Sequence, residues 1–240
     1  MIKEALQYIV GMGKAEQHTI NNNVYSDKLL HRIDPYIPKA SAIQMNTLTS
    51  LVDYIKAHID DMAGNMIVHV VSPTKVRLYS QLFNEDRERE YMVDVEARVP
   101  DFNFNQFMEQ EKFIINLQSK FIASEDRALL LKFAGTVEAG TVGEYGDDGV
   151  TQKATVKTGI ASKGEAIVPN PVHLRPYRTF LEVEQPESDF IFRMKQDKYD
   201  GIQCAIFEAD GGAWKMFATK AIKEYLKAEL ADMPQFTVIS

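Results

Sequence analysis

The chain has 240 residues, of which 45% are hydrophobic and 25% charged, a composition typical of soluble globular proteins. Its formal net charge of −7 argues against sequence-independent binding of duplex nucleic acid, because such binding depends on neutralising many phosphates. The single cysteine, Cys204, excludes an intrachain disulfide, and its apolar neighbours predict a position in the core. The N-terminus lacks a signal-peptide pattern and no apolar run is long enough to span a bilayer, so we expect a cytoplasmic protein.

The first half of the chain combines helical and strand patterns. Apolar residues at helical spacing predict three helices, at 2–10, from Asn46 or Thr47 to Ile59, and at 105–121. Turn signals separate three apolar strands, and we expect these strands to form an antiparallel meander. The predicted strands cover 66–71, 76–82 and 91–99.

The second half is richer in strands. Ser124 is expected to begin a short helix, and the turn at 146–149 predicts a hairpin that joins 141–145 to 150–157. Four further strands are expected at 172–177, 180–184, 190–195 and 202–208. A short strand at 216–218 and a last helix from Thr219 to Leu230 complete the prediction.

Helices alternating with antiparallel strands predict an α+β fold, with antiparallel sheet and helices packed on one side of it. We expect one domain over 1–240, either as a single compact unit or as two closely packed subdomains. The weak boundary would lie near residue 124, between a helix-and-meander part at 1–123 and a strand-rich part at 124–240.

Three arginines between Asn170 and Met194 are the first candidate binding residues. Arginine presents a planar fork that binds carboxylate or phosphate through two parallel hydrogen bonds. We therefore predict a ligand-binding surface of Arg175, Tyr177, Arg178 and Arg193. The alternative is that the arginines form cross-strand ion pairs with nearby glutamates. Those glutamates are Glu182, Glu184 and Glu187.

The segment 208–215 is the second candidate. Its carboxylates, Glu208 and Asp210, could hold a magnesium ion or act as acid and base. The favoured interpretation is a glycine turn that ends a strand, with both acids in solvent. Trp214, the only tryptophan, is expected to be a packing or interface residue.

No sequence motif points to catalysis. The five histidines are scattered, and the chain contains no zinc-binding spacing, no nucleotide-binding glycine motif and no nucleophile motif. We therefore predict no catalytic residues, no metal and no cofactor.

Three runs carry a resemblance to a known family. They are TLTSLVDYI at 47–55, VPNPVHLRPYRTFLEVEQPESDFIFRM at 168–194 and EADGGAWK at 208–215. In these runs the chain resembles phage and prophage proteins of the YfdQ-like domain-of-unknown-function family. The resemblance implies a phage-encoded protein of the host cytoplasm, acting in genome metabolism or against host defences, and it supplies no catalytic residues.

The leading functional hypothesis is a non-catalytic, homo-oligomeric binding protein that recognises a phosphate-bearing ligand or an acidic partner. Its partner would be a nucleotide, a single-stranded nucleic acid or a host protein. Two alternatives stay open: a metal-dependent enzyme acting on nucleotides or nucleic acid, and a structural assembly subunit.

Overall fold

The computed structural model describes residues 2–20, 23–28, 40–62, 64–83, 87–137, 152–157, 163–168, 170–197 and 201–240. The chain divides into two compact units, 1–39 and 40–240. Helices and mostly antiparallel strands alternate along it, which confirms the predicted α+β class. Within the described ranges, no helix is both long enough and apolar enough to cross a membrane.

The first unit contains one helix and one β-hairpin. Helix α1 spans Ile2–Met12, close to its predicted bounds. Strands β1 (Gln17–Ile20) and β2 (Asn23–Ser26) then pair antiparallel. None of the eleven residues of α1 is buried.

A five-stranded mixed sheet forms one layer of the second unit. Its strands are β3 (Ile43–Met45), β4 (Met66–Ser72), β5 (Lys75–Ser80), β6 (Tyr91–Glu96) and β13 (Phe236–Ile239). The antiparallel centre β4–β5–β6 is the predicted meander. Strand β13 pairs parallel with β4 at one edge, and β3 pairs parallel with β6 at the other.

Two helices cover one face of this sheet, α2 (Leu48–Lys56) and α5 (Ala213–Glu229). The Thr47 side chain accepts a hydrogen bond from the Ser50 amide at 3.1 Å, which caps α2 and confirms one of its two predicted starts. Ile59 lies beyond the end of α2 and is 66% exposed, so its predicted place in the helix is wrong.

Helix α5 begins six residues earlier than expected. Gly211 and Gly212 both have positive φ, so the chain turns sharply there and Ala213 can begin the helix. The predicted short strand at 216–218 is therefore wrong, and those residues form part of α5. Ala218, Ile222 and Leu226 are its buried residues, and Ile222 and Leu226 belong to the core of the five-stranded sheet.

A four-stranded antiparallel sheet forms the other layer, with the strand order β10–β11–β12–β7. These strands are β7 (Met108–Glu109), β10 (Val172–Leu174), β11 (Ser188–Asp197) and β12 (Gly201–Glu208). The helices that share its core are α3 (Gln110–Lys120) and α4 (Glu125–Thr136). Helix α3 begins later than predicted because Met108 and Glu109 pair with β12 as a short strand.

The core of the second layer is rich in phenylalanine. Its largest fully buried side chains include Phe113, Phe121, Phe190 and Phe192. Cys204 lies in the same cluster with no exposed surface, which confirms its predicted core position. Burial raises the pKa of its thiol to about 12, so little of the thiol ionises at neutral pH.

The chain between β10 and β11 is an ordered loop, so the predicted strand at 180–184 is wrong. The Gln185 side chain accepts hydrogen bonds from the amides of Arg178 (3.0 Å) and Thr179 (3.2 Å) and donates to the Phe180 carbonyl (2.9 Å). These internal bonds replace strand pairing. Phe180 and Val183 of the loop enter the core of the five-stranded sheet.

Two further predictions concern chain organisation. Residue 124, the predicted weak boundary, lies between α3 and α4, which belong to one core cluster. The predicted turn at 146–149 and the strand before it lie outside the described residues. The described hairpin in this part pairs β8 (Gln152–Lys157) with β9 (Lys163–Val168).

Candidate functional site

Arg178 is the most buried of the predicted ligand-binding residues, with a side chain that is 6% exposed. Its guanidinium donates from Nη1 to Glu208 Oε1 at 3.2 Å and from Nη2 to the Ser188 hydroxyl. Burial lowers the pKa of Arg178 to about 10, although the negative charges of Asp210 and Glu208 act in the opposite direction. The main contacts of this cation are therefore internal to the chain.

Trp214, predicted as a packing or interface residue, stacks on Arg178. The guanidinium carbon lies 3.9 Å from the centroid of the indole ring, which is within cation–π range. Two buried donors in this stack, Arg178 Nε and Trp214 Nε1, have no hydrogen-bond partner among the described residues. Desolvating such donors costs stability, and the cation–π contact offsets part of that cost.

Asp210 caps the first turn of α5. Its carboxylate accepts hydrogen bonds from the amides of Gly212 (2.9 Å) and Trp214 (3.3 Å) and from the Ser188 hydroxyl (2.7 Å). Burial acts to raise the pKa of Asp210, but these hydrogen bonds and the Arg178 charge outweigh it, and the pKa lies below its ordinary value. This carboxylate has a structural role at the start of the helix.

The paired carboxylates considered for a metal therefore serve other partners. Glu208 pairs with Arg178, and Asp210 binds amides and a hydroxyl. In the described part of the chain, no group of three or more His, Cys, Asp or Glu side chains is placed to hold a metal ion.

Arg175 engages two acids of the loop that follows β10. It forms ion pairs with Glu184 (3.2 Å) and Glu187 (3.1 Å), two of the three glutamates that the sequence offered as partners. The third, Glu182, accepts a hydrogen bond from the Thr49 amide at 3.1 Å, in the first turn of α2. The Arg175 side chain is 39% exposed and lines a groove of about 370 Å³ beside α5.

Tyr177 and Arg193 complete the predicted surface. Tyr177 is half-buried, and its amide donates to the Lys120 carbonyl at 2.9 Å. Arg193 is a half-buried residue of β11, and its Nη1 donates to the Phe192 carbonyl at 3.0 Å. Since Arg175 and Arg178 bind different acids, the described contacts do not join the predicted residues into one cleft. Their role in ligand binding stays a prediction.

A basic groove lies between α5 and the turn that joins β4 to β5. It has a volume of about 590 Å³, and the turn contributes Ser72 and Pro73 to its lining. Four of its lining residues are lysines of α5: Lys215, Lys220, Lys223 and Lys227. We call this set the lysine groove.

The helical period explains why three of the four lysines share a face, while Lys215, in the first turn of α5, lines the groove from outside that face. At 100° per residue, Lys220, Lys223 and Lys227 fall within an arc of about 60°. The buried stripe of α5 that contains Ile222 and Leu226 faces the sheet, so the lysine face is directed to solvent. The spacing of the lysines along α5 and the packing of its buried stripe on the sheet together determine where these ammonium groups lie.

The described chain neutralises the lysine groove only in part. Lys227 lies 3.8 Å from Glu224, and Lys223 donates to the Ser240 hydroxyl at 3.2 Å. Among the described residues, no carboxylate lies within salt-bridge distance of Lys215 or Lys220. The groove therefore keeps a net positive charge on a protein whose total charge is −7.

Sequence reasoning missed this groove. The lysines lie on the solvated side of a predicted amphipathic helix, and only their helical phase could have indicated that they share a face. The opposite wall comes from the β4–β5 turn, far earlier in the chain, and nothing in the sequence pattern links the two.

Comparisons with protein-family models, with curated proteins and with solved structures find no match.

Proposed function

We propose that this is a non-catalytic, homo-oligomeric binding protein that holds the phosphate backbone of a single-stranded nucleic acid in the lysine groove. The observation that supports this proposal is the presence of four lysines in one groove of about 590 Å³ on an otherwise acidic protein. Lysine ammonium groups bind phosphate oxygens as point charges, and they do not require one fixed geometry.

The length of the lysine face favours an extended ligand. From Lys220 to Lys227 the helix rises about 10 Å, at 1.5 Å per residue. A single nucleotide with one phosphate would meet only part of this face, whereas a strand lying along it would bring more than one phosphate within reach of the lysines.

The lining of the groove favours contact with the backbone over contact with bases. Its apolar members are Val71, Pro73 and Met216, and none of the lining residues is aromatic. Base stacking on aromatic rings, which supplies much of the affinity of many single-strand binders, is therefore not offered by this lining. We expect binding that is insensitive to sequence and strongly dependent on salt.

The negative net charge of the protein limits the expected affinity for a single-stranded nucleic acid. Repulsion between the acidic protein and a polyanion opposes association at long range, and Glu224 lowers the potential within the groove. We therefore expect weak binding that is measurable at low ionic strength.

The phage context implied by the sequence resemblance is a further part of the proposal. A protein that binds single strands would suit phage genome metabolism, and purification from phage-infected cells with retained nucleic acid would support that setting.

Fluorescence anisotropy with labelled poly-dT tests the proposal. The variant Lys220→Gln/Lys223→Gln/Lys227→Gln should weaken binding by at least about tenfold, since each lost ammonium removes one phosphate contact. The matched control, Lys112→Gln/Lys132→Gln/Lys195→Gln, removes the same charge from exposed positions around the four-stranded sheet. It should retain affinity within about twofold.

Three results would contradict the proposal. Wild-type protein could fail to bind poly-dT at low salt, or the two triple variants could lose the same affinity. Equal or tighter binding of poly-glutamate would instead indicate an acidic protein as the partner of the groove.

A further inference from the structure

The two walls of the lysine groove are connected by the loop between β10 and β11. Pro73, in the β4–β5 turn, lines one wall, and its carbonyl accepts a hydrogen bond from the Thr179 hydroxyl at 2.5 Å. The residue before Thr179 in the chain is Arg178, whose guanidinium stacks on Trp214 in the first turn of α5. Two neighbouring loop residues therefore contact the turn on one side and the helix on the other.

This connection is buried and internally braced. Thr179 is 2% exposed and Arg178 is 6% exposed. The Gln185 side chain accepts hydrogen bonds from both of their amides, at 3.0 and 3.2 Å, and so holds the two residues together. Because water does not reach a buried hydroxyl to replace its partner, the Thr179 hydrogen bond constrains where the Pro73 carbonyl lies.

The other described hydrogen bonds of the β4–β5 turn are local to its own sheet. The Thr74 amide donates to the Ser72 hydroxyl at 3.2 Å, and the Ala97 amide, just after β6, donates to the Thr74 carbonyl at 2.9 Å. The strand register also shifts between Val70 and Ser72, and such irregularities bend a strand away from a regular ladder. These contacts shape the turn, whereas the Thr179 hydroxyl ties it to the loop that contacts α5.

The α5 end of the connection reaches the groove itself. The Lys215 ammonium lies 5.9 Å from the centroid of the Trp214 ring, and Lys215 lines the groove. The indole is thus within cation–π range of a buried guanidinium, that of Arg178, and of a groove ammonium. The Arg178 stack therefore helps to place both the first turn of α5 and the first lysine of the groove.

We propose that Thr179 is a positioning residue of the lysine groove. Its hydroxyl, together with the Arg178–Trp214 stack, holds the β4–β5 turn at the distance from α5 that keeps a bound strand against the lysines. The attraction between an ammonium and a phosphate falls with distance, so a strand confined by the opposite wall binds more tightly than one that can move away. The inference rests on the proposed function for its ligand, but the spacing of the two walls can be measured without one.

Poly-dT anisotropy with variants of Thr179 is the first test. Thr179→Val removes the hydroxyl and keeps the shape of the side chain. It should weaken binding about three- to fivefold, the range expected when most of one hydrogen bond's contribution is coupled to binding. Thr179→Ser retains the hydroxyl and should bind as tightly as the wild type. The matched control is Thr136→Val, which removes a hydroxyl bonded to the Lys132 carbonyl within α4 and should not change the affinity.

Cross-linking across the groove is the second test and needs no ligand. Val71 and Met216 line opposite walls and are 41% and 69% exposed, so Val71→Cys/Met216→Cys places one thiol on each wall. Cys204 has no exposed surface and does not compete for the reagent. Adding Thr179→Val should slow cross-linking by a short bismaleimide about threefold, because a short linker fails to span a wider or more variable gap. Adding Thr179→Ser should leave the rate unchanged.

The two measurements separate this inference from the proposed function. If the wild type does not bind poly-dT, the proposed function is wrong, and the cross-linking rates still decide whether Thr179 sets the spacing of the walls. An unchanged affinity or an unchanged cross-linking rate for Thr179→Val would overturn the positioning role, as would a Thr179→Ser variant that behaves like Thr179→Val. If Thr179→Val does not fold, Trp214→Leu removes the contact at the α5 end and should produce the same two changes.

Discussion

The two cationic regions of this molecule, the Arg178 stack and the lysine groove, differ in how their charges are balanced. Arg178 lies in the interior beneath Trp214 and is paired with Glu208. The lysines of α5 project from a helix surface, and their described contacts with acids are few. Both regions involve α5. Trp214, in its first turn, contacts the buried guanidinium of Arg178, and its later turns carry lysines that are directed to solvent.

This difference shows why the number of arginines in a segment is a poor guide to a binding surface. Arginine is suited to buried pairing because its fork is planar and weakly hydrated. Lysine keeps a strongly hydrated ammonium at the end of a flexible stem and more often remains at the surface. The richest arginine segment in this chain therefore joins elements together, and a lysine face elsewhere offers the accessible charge.

The largest effect is expected for Arg178→Ala. Removing one partner of a fully buried charge pair costs about 3–5 kcal/mol, and because Glu208 is 31% exposed and can be hydrated, we expect a cost near the lower end, about 3 kcal/mol. Urea unfolding followed by circular dichroism measures the change in the free energy of unfolding. A loss below about 1 kcal/mol would mean that the pair is relaxed in solution and that Arg178 is available to a ligand.

A smaller effect that depends on pH is expected for Asp210→Asn. The pKa of Asp210 in the folded protein lies below its ordinary value, so this carboxylate stabilises the fold above that value and loses its contribution as pH falls through the folded pKa. The wild type should therefore be more stable than the variant at neutral pH. Melting curves recorded at decreasing pH should converge in strong acid, and a gap that does not change with pH would argue against a charge effect.

Arg175→Ala should cost no more than about 1 kcal/mol, because its pairs with Glu184 and Glu187 are exposed to solvent. The same urea experiment tests this. If the cost equalled that of Arg178→Ala, the proposed contrast between a buried and an exposed arginine would be wrong.

The smallest effect on stability is expected for Lys220→Gln, which has no carboxylate partner in the described chain and should leave the urea midpoint unchanged. Its effect should instead appear in the salt dependence of poly-dT binding. The slope of log K against log salt should fall by about 0.7 for one lost phosphate contact with a single strand. An unchanged slope would exclude Lys220 from the contact.

Local patterns predicted much of the fold. The α2 stripe, the cap at Thr47, the central meander and the core position of Cys204 all depend on residues close in sequence. Pairing between distant segments was missed. The parallel edge strands β3 and β13 are only three and four residues long, and their composition does not indicate which strand each one pairs with.

In the candidate site, too, contacts between residues close in sequence could be predicted, and contacts between distant segments could not. Pairing of Arg175 with Glu184 and Glu187 was one of the two hypotheses, and these residues lie within one loop region. The partner of Arg178 is Glu208, at the end of β12 and 30 residues further along the chain, and only the tertiary fold brings this loop residue and this strand residue together. The lysine groove was not predicted because its two walls come from opposite ends of the second unit.

The parallel pairing of β13 with β4 has a consequence for synthesis of the protein. Every strand of the four-stranded sheet precedes α5, so that sheet can assemble before α5 and β13 leave the ribosome. The five-stranded sheet must wait for α5 to cover its face and for β13 to occupy its edge. Until then β4 presents an unpaired edge, and a nascent chain stalled after β12 should require chaperone protection there.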